Sequence, residues 1–297
     1  MIYIIVNPVS GAGRANKAIP LIDRLIRESG REYTFLYTES ADDFQRISGL
    51  IDRETAEAVV CVGGDGTIQQ YFGLAVGLDL PFGVIPVGSG NDFLYSLPEG
   101  ERKFSSFEDK ITYYTQKILA GATIQIDAVS VNGDDYFLNI GGLGIDIQVL
   151  KDALPLKKLF GGSAYFLSLL KNTLTYKAEE MTLTVDGKTE TDRFLLVSVC
   201  NGSYYGGHLR VAPTAVIDDG LLTLCIVRNM PRLKLMMLFP LVKPGKHARI
   251  KEVSFVNCSV ARLDFKGRKT INFDGNLPEF ESPLTFNVMK GAVRFIV

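Results

Sequence analysis

The run Ala58 to Val62 (AVVCV) passes without a break into Gly63-Gly64-Asp65-Gly66-Thr67. An unbroken apolar run suits a strand covered on both faces, as in a parallel sheet. Three glycines in four positions then stop it. The same event occurs twice more: Ile2 to Val6 (IYIIV) runs into NPVSGAGR, and Pro81 to Val87 (PFGVIPV) runs into GSGND. Helical spacing lies between these runs. Ile19, Ile22, Leu25 and Ile26 mark a first helix that stops at Gly30, with Pro20 expected in its first turn. Tyr33 to Thr38 reads as a strand, Asp42 to Ala56 as a helix weakened by Gly49, and Thr67 to Leu78 as another helix. Strands alternating with helical crossovers predict a doubly wound parallel-sheet α/β domain over residues 1–122.

The pattern changes near Ala122. TIQIDAVSVNGDDYFLNI predicts two strands around Asn132-Gly133, and MTLTVDGKTETDRFLLVSV two more around Asp186-Gly187. Further alternating runs follow in LLTLCIV, EVSFVNCSVARLDF and LTFNVMKGAVRFIV. Helical segments are expected at Gly162 to Leu174 and around Leu233 to Leu241. This predicts an antiparallel β-sandwich domain over 123–289, with the last strand, 290–297, free to return to the first domain.

Composition removes several functions. Lys plus Arg number 32 and Asp plus Glu 33, for a net charge of −1, so no dedicated nucleic-acid binder is expected. Cys61, Cys200, Cys225 and Cys258 form no CxxC pair and only His208 and His247 accompany them, so the thiols read as buried and reduced rather than zinc-bound. The N-terminus lacks the basic head of a signal peptide, and no run approaches the ~20 apolar residues of a bilayer span, so a soluble cytoplasmic chain is expected. LMMLFPLV (Leu235 to Val242) lies among Arg232, Lys234, Lys243, Lys246 and Arg249. It reads equally as a peripheral membrane contact or as a helix with a solvated basic rim. Exposed strand edges leave room for a homodimer.

In a doubly wound sheet, ligands bind beyond the carboxyl ends of the strands, where all three Gly-rich loops fall. Glycines let backbone N–H groups approach an anion, and a helix N-terminus behind the loop adds partial positive charge. Thr67 and Ser89 offer hydroxyls. Asp65 would repel a bare phosphate. Mg²⁺ resolves the conflict, because it commonly joins one or two carboxylates to phosphate oxygens, and Asp92 supplies a second carboxylate. The combination points to a nucleoside triphosphate with Mg²⁺. GxxxxGK[ST] is absent, and GAGRAN has Asn16 where a dinucleotide fingerprint needs its third glycine.

NPVSGAGR, GGDGT and GSGNDF, in this order and followed by APTAVIDDGLLTL and FDGN, resemble the diacylglycerol kinase catalytic-domain family, which includes sphingosine and ceramide kinases. The resemblance spans nearly the whole chain. It implies an ATP-dependent lipid kinase that transfers the γ-phosphate to a hydroxyl of diacylglycerol or a similar lipid at the membrane surface, in phospholipid metabolism. It assigns Asn7, Ser10, Gly11, Thr38, Gly64, Asp65, Gly66, Thr67, Ser89 and Asn91 to ATP, with Arg14 reaching the phosphates. Asp65, Asp92 and Asp127 fall on its phosphate and Mg²⁺ network. Asp219, with the carbonyls of Val216 and Leu221, falls on a structural Mg²⁺ site, and Asp274 on the general base. The chain departs from the pattern at four places: Gln70 and Asn276 are amides where relatives carry acids, Tyr95 stands for a basic residue, and Ala12 for a lysine. Two other readings therefore stand beside the lipid kinase: an NAD kinase-like or other soluble-acceptor kinase, and a nucleotide- or lipid-binding relative without turnover.

Overall fold

The three apolar runs lie side by side in one parallel sheet. The computed structural model describes residues 1–40, 43–100, 102–160 and 163–297. The chain divides into two compact units, residues 1–127 with 290–297, and residues 128–289.

The first unit contains β1 (Ile2–Val6), α1 (Ser10–Ser29), β2 (Tyr33–Tyr37), α2 (Phe44–Gly49), β3 (Ala58–Gly63), α3 (Asp65–Leu78), β4 (Phe82–Pro86) and α4 (Phe107–Ala120). β1 pairs in parallel with β2 on one side and β3 on the other, and β3 pairs with β4. β1, β3 and β4 are buried along their whole length, whereas the edge strand β2 is half-buried. Ile22 and Ile26 of α1 and Ile111 and Ile118 of α4 pack with Ile4, Val60, Val62 and Ile85 of the sheet. From β1 the chain winds outward to β2, then crosses back over β1 to β3. The carboxyl ends of β1 and β3 thus flank a topological switch point, where such sheets bind ligands.

Local chemistry corrects three expectations. Pro20 lies well inside α1 rather than in its first turn. Its ring removes the bond to the Asn16 carbonyl, but both residues are exposed, so water can take that carbonyl. The expected helix Asp42 to Ala56 shortens to α2, and Asp42 itself lies outside the described residues. Beyond Gly49 the Asp52 carboxylate accepts from Glu54 N (3.0 Å) and Thr55 Oγ1 (3.1 Å), a local turn that competes with helix. α4 was not anticipated, although its signals are plain. Ser106 Oγ accepts from Asp109 N at 3.0 Å, Glu108 and Asp109 occupy the first turn, and Gly121 closes the helix at φ 68°.

β5 (Thr123–Val131) leads into the second unit. There follow β6 (Asp135–Phe137), β7 (Ile140–Gly144), α5 (Ile145–Phe160), α6 (Ser163–Thr175), β8 (Glu179–Val185), β9 (Lys188–Cys200), β10 (Leu222–Arg228), α7 (Arg232–Val242), β11 (Val253–Cys258), β12 (Val260–Asp264), β13 (Arg268–Thr270), β14 (Asn272–Phe273), β15 (Glu279–Glu281) and β16 (Leu284–Ile296). The two expected hairpins form. Asn132-Gly133 and Asp186-Gly187 have φ of 52° and 91°, and of 44° and 83°, the paired positive values of a type I′ turn. β9 pairs with β8 through its first half; its second half lies between β7 and β10. The pairing is antiparallel, and the fold is a β-sandwich whose core includes Phe137, Phe194, Phe273 and Phe286. β16 begins against β12 in this unit and ends with Phe295 paired to Phe82 of β4 in the first. The expected helix at Gly162 to Leu174 is α6, Gly162 itself lying outside the described residues; α5 was not foreseen. Among the described residues, no helix is long and apolar enough to cross a membrane.

Candidate nucleotide and acceptor sites

The three Gly-rich loops of the first unit touch one another. A Cβ on Gly88 would stand 2.6 Å from the Gly64 Cα, so the second and third loops pass at backbone contact. A Cβ on Gly11, whose φ is +61°, would stand 2.0 Å from the Val87 carbonyl oxygen, which brings in the first loop. Gly11, Ala12 and Gly13 all adopt left-handed backbone before the regular turns of α1 begin. Asn7 Nδ2 donates to the buried Thr67 Oγ1 at 3.3 Å and ties β1 to the start of α3 across the switch point. Thr38 N donates to the Val6 carbonyl at 2.9 Å, which places Thr38 at the same rim. Ser10 Oγ lies 3.7 Å from the position of a Gly64 Cβ, and Ser89 is exposed at the tip of the third loop. Asn91 is left-handed, at φ 59°, and its Nδ2 donates to the Gly88 carbonyl at 3.0 Å. Arg14 Nε donates to the Gly11 carbonyl at 2.9 Å. The residues expected around ATP on these loops therefore share one rim.

Asp65 opens α3 behind Gly64, which has extended backbone and no side-chain cap. Its Oδ2 accepts from Asn91 N at 2.7 Å, while the buried Oδ1 has no hydrogen-bond partner. Asp92, 7 % exposed, crowds the same Gly90. Burial, then the Asp92 charge, raise the Asp65 pKa from 3.8 to about 6. Without metal, the unfolded chain loses the Asp65 proton near pH 4, whereas the folded chain keeps it to about 6. Stability present below pH 4 is therefore lost as pH rises through about 6, by on the order of 2–3 kcal/mol. Denaturant melts of metal-free protein across this range should show that fall, and Asp65→Asn should remove it. Parallel pH curves for the two proteins would refute the assignment.

Asp127 is fully buried, and its Oδ1 accepts from Gly291 N at 2.7 Å. Among the described residues, no three Asp, Glu, His or Cys side chains stand together as a metal site. Asp65 and Asp92 would need phosphate oxygens to complete a Mg²⁺ shell, which suits that ion's habit. In the second unit, Asp219 Oδ1 accepts from Leu221 N at 2.9 Å in an exposed turn, with Val216 and Leu221 also exposed.

Asp274 sits in a two-residue turn, at φ 50° before Gly275 at 95°, closed by paired backbone bonds between Phe273 and Asn276. Its carboxylate accepts from Leu138 N (2.9 Å), Asn139 N (3.0 Å) and Ile140 N (2.6 Å). The motif is thus both a turn and a fixed carboxylate. Nearby, Asn272 Nδ2 donates to Asp146 Oδ2 at 3.0 Å and to Tyr205 Oη at 2.6 Å. Burial pushes the Asp146 pKa upward, and its Oδ1 has no hydrogen-bond partner. Asp146 lines an apolar cavity of about 320 Å³ between the sheet and α5, α6 and α7. Leu195, Val227, Leu169, Leu235 and Leu238 contribute its walls.

Two residues escaped the sequence reading. Asp146 falls in a segment that the sequence did not mark as helical; only the fold gives it the first turn of α5, Asn272 and the cavity. Lys110, in the first turn of α4, is half-buried: burial lowers its pKa, and the nearby Arg14 charge lowers it further. It adds a second cation beside the first loop, where Ala12 lacks one.

Residues 1–131 match the diacylglycerol kinase catalytic domain, and residues 140–297 match the YegS C-terminal NAD kinase beta sandwich-like domain. The "Probable lipid kinase YegS-like" protein of Chromohalobacter salexigens is 33 % identical over 283 residues, covering 90 % of this chain and 85 % of its own. The "Diacylglycerol kinase" of Mycobacterium tuberculosis is 27 % identical, over 88 % of this chain and 84 % of its own. The crystal structure of a diacylglycerol kinase from Bacillus anthracis superposes with a TM-score of 0.79 at 22 % identity, covering 99 % of this chain and 96 % of that one, which shows a common fold. The chain belongs to the lipid kinase family that joins a diacylglycerol kinase catalytic domain to a YegS-type C-terminal β-sandwich domain.

Proposed function

We propose that the chain is an ATP- and Mg²⁺-dependent kinase acting on diacylglycerol or a similar lipid. The observation that carries the acceptor half is the apolar cavity of the second unit. At about 320 Å³ it falls within the ~300–1,000 Å³ range of small-molecule sites, and its walls are almost wholly hydrocarbon. A sugar or nucleotide acceptor would strand its hydroxyls against such walls; an acyl chain gains about 0.8 kcal/mol per buried methylene. Asp146 is the buried carboxyl on this wall and offers its unpartnered oxygen to a lipid hydroxyl or ester edge.

The nucleotide half rests on the loops of the first unit. Backbone N–H groups at the start of α3 and the hydroxyls of Ser10 and Ser89 would hold phosphate oxygens, with Arg14 and Lys110 balancing charge. Bound Mg²⁺ would neutralise the phosphates and favour the ionised form of Asp65. Asp274, oriented by three backbone donors, would accept the proton of the lipid hydroxyl.

The test is transfer of label from ATP, with Mg²⁺, to a panel of lipids in mixed micelles. A labelled organic-phase product is expected. Val149→Phe, which adds bulk to the cavity wall, should cut turnover on long-chain acceptors about tenfold and leave ATP affinity unchanged. A labelled product confined to water would overturn the lipid reading in favour of a soluble acceptor. The reading without turnover draws on the amides Gln70 and Asn276. It predicts nucleotide binding without transfer, and a gain in rate when both are changed to glutamate.

A further inference from the structure

Asn272 uses both polar atoms of its side chain. It is fully buried in β14, which pairs with β7. Its amide nitrogen donates to Asp146 Oδ2 at 3.0 Å and to Tyr205 Oη at 2.6 Å. Its Oδ1 accepts from Gly275 N at 2.9 Å. One amide thus joins the cavity wall, where Asp146 and Tyr205 stand, to the turn that carries Asp274. Among side chains this short, only asparagine offers two donors and an acceptor together; serine has one donor, and ionised aspartate none.

The Tyr205 wall is a small hairpin of its own. Tyr205 and Leu209 exchange both backbone bonds, at 2.9 and 3.1 Å, and Ala212 N donates to the Ser203 carbonyl at 3.2 Å. At the tip, Gly206, Gly207 and His208 are all left-handed, at φ 67°, 86° and 67°. The two glycines are exposed and bring no side chain to the packing, so the bonds at the base orient the hairpin. Two of those bonds lead to Asp274. Asn139 Nδ2 donates to the Tyr204 carbonyl at 2.8 Å, while Asn139 N donates to the Asp274 carboxylate at 3.0 Å. Tyr205 Oη reaches the same turn through Asn272 and Gly275. Tyr205, Gly206, Leu209 and Val211 of the hairpin line the apolar cavity.

We infer that Asn272 is a positioning residue, through which the hairpin wall of the acceptor cavity sets the turn that carries Asp274. An acceptor chain that enters the cavity presses on Tyr205 and Leu209. The Tyr205–Asn272–Gly275 chain of hydrogen bonds carries that contact to the turn, so filling the cavity and aiming the Asp274 carboxylate become one event. The consequence for catalysis rests on the lipid kinase reading, with Asp274 taking the hydroxyl proton. Bonds that only stabilised the fold would raise the melting temperature and leave the turn indifferent to the acceptor.

The experiment measures turnover on dioctanoylglycerol in mixed micelles, at a temperature where melts show every variant folded. Tyr205→Phe removes only the hydroxyl. It should lower kcat about tenfold, the worth of about one hydrogen bond in the transition state, with the KM for ATP unchanged. Asn272→Asp keeps the oxygen that Gly275 N needs and gives up the amide donors, so it should lower kcat at least as far. The double variant should fall no further than Asn272→Asp alone, because both changes cut one chain. Amide hydrogen exchange at Gly275, read by NMR on the full chain without nucleotide, gives a measure free of turnover. Dioctanoylglycerol should slow that exchange in the unaltered protein and not in Tyr205→Phe. Unchanged kcat in Tyr205→Phe, losses that multiply in the double variant, or Gly275 exchange indifferent to the lipid overturns the inference; transfer by the unaltered protein then leaves the kinase reading standing. Lipid-dependent protection that Tyr205→Phe abolishes, without transfer by the unaltered protein, supports the link and refutes the kinase reading.

Discussion

Gly88→Val should abolish measurable nucleotide binding, while Gly77→Ala, in the same unit, should not affect it. The contrast is steric. A Cβ at Gly88 would stand 2.6 Å from the Gly64 Cα and 2.8 Å from Asn91 Oδ1, and neither a backbone carbon nor the side chain holding the Gly88 carbonyl can swing aside. The second and third loops must separate. That strains the bonds from Val87 N and Gly88 N to the Gly63 carbonyl, at 2.9 and 3.3 Å, and moves Asn91 N away from Asp65. Overpacking of this kind costs about 1–3 kcal/mol. Its effect on the site is larger, because a shift of about 1 Å in a positioning element is worth about 100-fold. Gly77 has nothing within 4 Å and sits near the end of α3, so alanine there should add up to about 1 kcal/mol of stability through helix propensity. Calorimetric titration with Mg²⁺ and ATP, beside thermal melts, gives both readouts. Near-normal affinity in Gly88→Val would show that the loops do not hold nucleotide.

The loops could be read from sequence because their meaning is local. An apolar run reports a buried strand, and glycines at its end report a backbone that something approaches. β1, β3 and β4 therefore fell where the runs lay, as did the two hairpins carried by Asn132-Gly133 and Asp186-Gly187. What stayed hidden depends on residues far apart in the chain. Asp146 acquires a role only when Asn272, 126 residues later, donates to it and three helices enclose the space beside it. Asp127 pairs with a backbone N–H on the returning strand, 164 residues away, which no spacing rule reveals. α4 and α5 were missed for another reason. α4 begins in a polar stretch whose cap, Ser106, was not recognised, and α5 follows glycines and contains Pro155, both of which argue against helix. Packing of α5 on α6, rather than propensity, decides that segment.

Asp274→Asn should lose at least 100-fold in kcat and about 2–3 kcal/mol of stability. The stability loss follows from the hydrogen-bond arithmetic. Three backbone N–H groups point at this carboxylate, from Leu138, Asn139 and Ile140. A carboxylate offers about four lone-pair positions on two oxygens; an amide offers one oxygen and turns its NH₂ towards donors. At least one backbone N–H then loses its acceptor, and charge-assisted bonds are worth about 1.5–3 kcal/mol. The turn itself should survive, because Gly275 N still donates to Asn272 Oδ1 at 2.9 Å and Phe273 still stacks on Phe137 at 5.3 Å. The kinetic loss has two separable origins. A general base contributes about 10²–10⁴ in rate, whereas an anchor contributes only by keeping the strands in place. If Asp274 only anchors, activity should return when the variant is assayed cold and fully folded, and its pH–rate profile should keep the acidic limb of the parent. If it takes the hydroxyl proton, activity should stay lost in the folded variant, and any residual rate should no longer rise with pH on that limb. The three N–H donors fix the direction in which the carboxylate points, and recovery of turnover in the cold would remove Asp274 from the chemistry.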